Sequence, residues 1–170
     1  MVIELNQSYD QEKLRITGIL REVHDPEIPV LSIMDMGVVR NIEKNDTEWL
    51  ITITPTYSGC PAMDVISIEI KQALESHGIP CSVKLSLSPA WTTDWITEQG
   101  RKDLLEYGIV PPLDAESDKS ALMGEKKPLH CPRCNSKDTK MISPFGSTAC
   151  KALFQCNDCL EPFDYFKCLK

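Results

Sequence analysis

The sequence predicts an α+β fold, in which a small sheet of about three strands with packed helices is followed by a small zinc-ribbon module. Three observations carry this. Hydrophobic periodicity runs helix, strand, strand, helix, strand, helix over the first 112 residues. A polar stretch follows, and the remainder is governed by two C-x-x-C pairs. The predicted divisions are an α+β domain at 1–112, a linker at 113–128 and a ribbon at 129–170.

Ser8 is a candidate cap for a helix over roughly Tyr9 to Val23, where Ile16, Ile19, Leu20 and Val23 share one face. That helix should stop near HDPEIP, because a residue before proline avoids the helical region. Gly37 to Ile42 and Trp49 to Thr54 read as a hairpin, with EKND as its turn and WLITIT alternating along its second strand. From Cys60 the period becomes helical, with Met63, Ile66, Ile70 and Ala73/Leu74 on one face and Gly78 near the stop. Cys81 to Ser88 is a third alternating strand, and WTTDWITEQGRKDLLEYGIVPP supplies at most two short helices ending at Pro111-Pro112. Leu113 to Pro128 is polar, charged and poor in large apolar residues, as expected of a tether.

At 170 residues and 42% hydrophobic content, one ordinary domain and a small module can each bury a core. No apolar run is long enough to span a bilayer, and Met1 to Asp10 lacks the basic and apolar regions of a secretory signal. The expected location is therefore the cytoplasm, where eight cysteines point to metal ligation or reactive thiols rather than disulfides. Formal net charge is −7, and residues 1–112 hold 9 Lys+Arg against 17 Asp+Glu. An acidic body argues against nucleic acid as a partner, since phosphate binding depends on clustered cations. A protein partner is expected instead, and no membrane.

Cys131-Pro-Arg-Cys134 and Cys156-Asn-Asp-Cys159 are two knuckles separated by 21 residues. Two residues between thiols let one tight turn aim both sulfurs at a single ion, and two such turns close a tetrahedral site with no open position. One structural zinc is the expectation, with a mononuclear iron or iron-sulfur centre as the chemical alternative. So short a segment buries little core, and metal binding would supply folding free energy on the order of 10 kcal/mol or more. Cys150 and Cys168 fit neither knuckle and read as small buried hydrophobes. The aromatics of PFDYF, Pro162 to Phe166, read as the ribbon's own core or docking surface rather than a base-stacking platform.

Cys60 is placed at a helix start with Pro61 at the first helical position, where free N–H groups and the helix dipole should lower a thiol pKa. A reactive thiolate and a buried capping cysteine both fit that placement. Asp25 and Glu27, beside His24 in HDPEIP, are candidate metal or acid–base carboxylates, although Asp before Pro is also an ordinary turn former. His77 suits a helix C-terminus, and His130 adjoins the first knuckle. No nucleotide-binding, zinc-protease or nucleophile-elbow motif occurs. A hydrolase would have to be built from Cys60 with His24 or His77.

HDPEIPVLSIMDMGVV at 24–39, followed by ITITPTYSGCP at 51–61, is similar to the MIP18 family, also called DUF59, which shares a D-P-E motif, a glycine-led strand and a T-x-x-x-C-P segment. SPAWTTDWI, CPRCNS and STACKALFQCNDCLEPFDYFKC extend the likeness over nearly the whole chain to the longer PaaD branch of that family. The resemblance implies an accessory role in iron-sulfur or iron-centre assembly for the phenylacetyl-CoA epoxidase of aerobic phenylacetate degradation, without catalysis of epoxidation. It implies Cys60 as the family cysteine and Asp25 and Glu27 as its motif carboxylates, with a transient iron or iron-sulfur cluster beside the ribbon zinc. The implied partners are the di-iron oxygenase subunit, the reductase that carries flavin and a plant-type cluster, and iron-sulfur carrier proteins. A stoichiometric structural or regulatory subunit of the oxygenase is the competing role, and a nucleic-acid-binding ribbon the remote one.

Overall fold

A computed structural model describes residues 2–112 and 129–167, so the predicted linker at 113–128 and Cys168 lie outside the described residues. The chain divides into two compact units, Met1–Trp91 and Thr92–Lys170.

In the first unit, helix α1 spans Val2–Leu20 and buries Ile16 and Leu20, with Val23 buried just beyond its end. It begins before Ser8, because no proline or glycine interrupts residues 2–8, and Ser8 lies within the helix rather than capping it. After the turn at 21–22, β1 (His24–Asp25) and β2 (Ile28–Ser32) form a two-stranded antiparallel ladder that the sequence pattern did not reveal. Ser32 and Asp35 brace the next turn, with Ser32 Oγ donating to Asp35 Oδ2 at 2.8 Å and accepting from Asp35 N at 3.0 Å. Gly37 leaves that turn at φ +73, a region glycine enters without steric cost.

Strands β3 (Val39–Lys44) and β4 (Trp49–Ile53) make the expected hairpin, with Ile42 opposite Ile51. Helix α2 (Ala62–Ser76) then crosses to β5 (Cys81–Leu85), which runs parallel to β4 and completes the order β3-β4-β5. The alternation in β4 buries Trp49, Ile51 and Ile53, while α2 buries Ala62, Met63, Ile66, Ile70 and Leu74. Tyr9 of α1 stacks on Trp49 with ring centroids 5.3 Å apart. Burial of this order, at about 25 cal/mol per Å² of apolar surface, is the main force holding helices to sheet.

The second unit opens with a 3-10 turn at Thr93–Trp95 and helix α3 (Glu98–Tyr107). Thr97 caps α3 by accepting from Gly100 N at 3.0 Å, and Gly108 ends it in the left-handed conformation at φ +94. Strand β6 (Ile109–Val110) pairs in parallel with β9 (Pro162–Phe166), next to β8 (Lys151–Cys156) and β7 (Thr139–Ser143), in the order β6-β9-β8-β7. Residues 92–112, which the sequence groups with the first domain, thus belong with the ribbon. Two buried strand residues are too few for any periodicity to announce their partner. The PFDYF aromatics form core: Phe154 stacks on Phe163 at 5.9 Å and meets Tyr165 edge-on at 5.8 Å, beside buried Val110, Leu129 and Ala152.

Candidate functional site

Each cysteine pair sits in a turn at one end of the ribbon. In the first, Asn135 N donates to the Cys131 carbonyl at 2.9 Å and Cys131 N donates to the Ser136 carbonyl at 2.9 Å. In the second, Cys156 N donates to the Glu161 carbonyl at 3.0 Å, and Cys159 N points at Cys156 Sγ from 3.5 Å. The residue following each pair takes a left-handed backbone, Asn135 at φ +61 and Leu160 at φ +62. Asparagine tolerates that region, whereas leucine is strained in it. Bonds between the two turns set their separation: Asn157 N donates to the Asp138 carbonyl at 2.8 Å, Asn157 Nδ2 to Asp138 Oδ1 at 2.8 Å, and Ser136 Oγ to Asp158.

The result is a converged four-thiol cluster. Cys131 and Cys159 sulfurs are 3.7 Å apart, those of Cys134 and Cys156 are 3.5 Å apart, and all four lie within 4.8 Å of one another. A tetrahedral ion with metal–sulfur bonds near 2.3 Å requires sulfur separations of about 3.8 Å. The cluster therefore fits one four-coordinate ion, and a soft or borderline ion is what four thiolates select. His130 Nδ1 is 3.0 Å from Asn135 Oδ1 and so braces the first turn. Buried Cys150 stands outside the cluster, 3.1 Å from Thr148 Oγ1.

The second constellation surrounds Cys60. Pro61 is the N-cap of α2 rather than its first helical residue, so Cys60 directly precedes the cap, and it is half-buried. Cys60 N donates to the Tyr57 carbonyl at 3.1 Å. The thiol pKa lies above its ordinary value, opposite to the lowering expected from a helix start. Burial is the main cause, and the negative charges of Asp25 and Glu27 add to it. The Ala62 N–H and the Thr56 hydroxyl pull the other way and are outweighed. Helix-dipole stabilisation decays within one turn, and one backbone donor does not offset the partial burial of the thiol and the carboxylate charges acting on it.

The structure thus brings Asp25 and Glu27 near enough for their charges to act on the Cys60 thiol, a relation their separation in sequence conceals. Asp25 is 5% exposed, and its Oδ1 accepts from Glu27 N at 2.8 Å and Ile28 N at 2.9 Å, so it also shapes the turn. Sequence reasoning placed Thr56 in the T-x-x-x-C-P segment without giving it a role, and it missed Thr54, whose buried Oγ1 has no hydrogen-bond partner among the described residues. His77 caps the far end of α2, with Nδ1 2.8 Å from the Ala73 carbonyl. It is separated from Cys60 by the length of the helix, about 22 Å for 15 residues, so these two make no catalytic dyad. Among the described residues only the four ribbon cysteines assemble three or more metal-ligand atoms, and the ligand atoms of Cys60, Asp25 and Glu27 do not converge in that way.

Two family models match the chain: an iron-sulfur cluster assembly protein over residues 13–85 and the PaaD zinc beta ribbon domain over residues 115–167. A protein of Escherichia coli (strain K12), provisionally named as one of the subunits of 1,2-phenylacetyl-CoA epoxidase, is 51% identical over 91% of this chain and 92% of its own. An Fe-S protein maturation auxiliary factor of Porphyromonas gingivalis is 32% identical over 62% of this chain and 100% of its own. A DUF59 domain of unknown function from Bacillus anthracis, at 22% identity, superposes with a TM-score of 0.54 over 58% of this chain and 96% of its own, which shows the fold of the first unit. With its DUF59 unit, its converged ribbon cysteines and a full-length relative at this identity, the chain belongs to the PaaD family, the DUF59 proteins that carry a C-terminal zinc ribbon.

Proposed function

We propose that this protein is an accessory maturation factor for a phenylacetyl-CoA epoxidase in aerobic phenylacetate degradation, acting in the cytoplasm without catalysing epoxidation. The observation that carries this reading is a half-buried thiol, Cys60, that feels the charges of Asp25 and Glu27 while its ligand atom and theirs do not converge as those of the ribbon cysteines do. Such an arrangement suits a transient shared site, completed by ligands from a carrier or client and dissolved when the partner departs. Because the Cys60 pKa is raised, the resting thiol is protonated, and metal binding would displace its proton as the Cys60–metal bond forms. Asp25 and Glu27 would offset part of the cation's charge.

The ribbon would hold one structural zinc through Cys131, Cys134, Cys156 and Cys159, fixing the two turns and the adjacent strands. The iron or iron-sulfur cluster is cargo in this reading, and the zinc stays in place. The clients are the di-iron oxygenase subunit and the flavin and iron-sulfur reductase, with iron-sulfur carriers as donors. The relatives named as Fe-S protein maturation auxiliary factors support this role.

The test is to purify the epoxidase subunits from cells making Cys60→Ser and to assay their iron, sulfide and turnover. Lowered loading is expected, and full loading with normal turnover would overturn the role of Cys60. The name of the Escherichia coli relative also favours a second role, that of a stoichiometric subunit. Co-purification at fixed ratio, with turnover still requiring this chain after the metal centres are complete, would select that role.

A further inference from the structure

Helices α1 and α2 leave an apolar groove between them, about 450 Å³ in volume, with Gly18, Ile19, Val23 and Ala73 along it and Arg15 at one end. Gly18 lies inside α1, where glycine weakens a helix relative to alanine. A Cβ built there meets nothing within 4 Å, so the chain's own packing does not require the glycine. What glycine provides is a bare stretch of helix backbone that another backbone can approach closely. Through Glu22 and Val23 the groove runs on into a second depression of about 380 Å³ that reaches Asp25, one of the carboxylates beside Cys60. That end carries Glu22, Asp25 and Glu69 and has no Lys or Arg in its lining. Among the described residues Glu22 and Glu69 make no ion pair.

We infer that this groove is the docking site for an amphipathic helix of the partner that exchanges metal at Cys60, its basic end lying over Glu22 and Glu69. The inference rests on the maturation role above and deepens it. An apolar floor with one acidic end is complementary to a helix that is apolar on one face and lysine- or arginine-bearing at one end. The surrounding unit repels acidic partners, with 7 Lys+Arg against 13 Asp+Glu, a net of −6. From Arg15 to Leu20 the groove runs along about 8 Å of α1, and the turn beyond carries it on to Val23, enough for roughly one to two turns of partner. Binding there would place partner ligands next to the Asp25 end and so complete the set at Cys60.

The experiment uses the full chain with a photo-cross-linking amino acid at position 73, mixed with purified oxygenase and reductase subunits of the epoxidase. The adduct should map to a helix of one subunit with Lys or Arg at one end. Glu22→Lys with Glu69→Lys, and separately Gly18→Leu, should weaken binding of that subunit about tenfold or more. Gly18→Ala should raise the melting temperature and weaken binding to a lesser degree, which separates a steric effect on docking from misfolding. An adduct with a second copy of this chain, an adduct within the chain, or no loss of binding in any groove variant overturns the docking site. Loss of client metal loading in Cys60→Ser together with unaltered binding by the groove variants removes the groove and leaves the maturation role standing. Normal loading in Cys60→Ser removes the maturation role itself, and with it the inference.

Discussion

Replacing Leu160 by glycine should stabilise the ribbon. Leu160 directly follows the second cysteine pair, holds φ at +62 and is 66% exposed, so its side chain contributes little burial to set against its backbone strain. A non-glycine residue in the left-handed region costs about 1–2 kcal/mol, and glycine returns roughly 0.5–1 kcal/mol of that through its greater freedom in the unfolded chain. The Gln155 side chain bonds the Leu160 backbone carbonyl at 3.2 Å, a contact glycine retains. The net expectation is about 0.5–1 kcal/mol of stabilisation, a rise of about 2–8 °C in the melting of a unit of roughly 80 residues. The assay is thermal release of metal from the zinc-loaded full chain, read with a chromogenic chelator, beside Leu160→Val, which should lower the midpoint because a β-branched residue suits φ > 0 even less. A lower midpoint for Leu160→Gly, or an unchanged one for Leu160→Val, would refute the claim that backbone strain at this position limits ribbon stability.

Removing the ribbon metal with a strong chelator should unfold the second unit selectively: amide protection in β7, β8 and β9 collapses while that of β4 and α2 persists, as read by hydrogen exchange. Asp25→Ala should cost about 1–3 kcal/mol in denaturant unfolding, because the amides of Glu27 and Ile28 lose their acceptor, whereas Asp25→Asn keeps the acceptor and most of the stability. Alkylation of Cys60 in a variant lacking the other reactive thiols should be slower than that of a free cysteine at pH 8 and should climb with pH; Glu27→Gln should speed it severalfold by removing an opposing charge. The sign for stability follows: a pKa raised in the folded state contributes stability below the ordinary thiol pKa, and that contribution is lost as pH rises through the folded value.

Much of the fold was legible because it rests on local periodicity. The alternation in WLITIT and the helical spacing of Met63, Ile66, Ile70 and Leu74 each point one face at a core, and the structure buries those faces. Elements without a period were illegible. The β1–β2 ladder is shaped by Asp25 accepting two backbone amides, and β6 is two residues whose partner, β9, lies about fifty positions away. The metal cluster could be read in advance because the spacing within each pair already dictates a turn that aims both sulfurs together.

Cys60 divides the two kinds of information most clearly. The sequence by itself determined that a thiol stands at the entrance to a helix, that two pairs of thiols can meet, and that the body is acidic. Those properties follow from neighbours along the chain, where chemistry is set by the next few residues. Only the tertiary structure decided the character of the Cys60 thiol, because its pKa depends on burial and on Asp25 and Glu27, which the fold brings across from another strand and turn. The helix start favours a thiolate, and the surroundings favour a protonated thiol. Burial and charge prevail because desolvation and Coulomb repulsion act through space, and no spacing rule along the chain reports them.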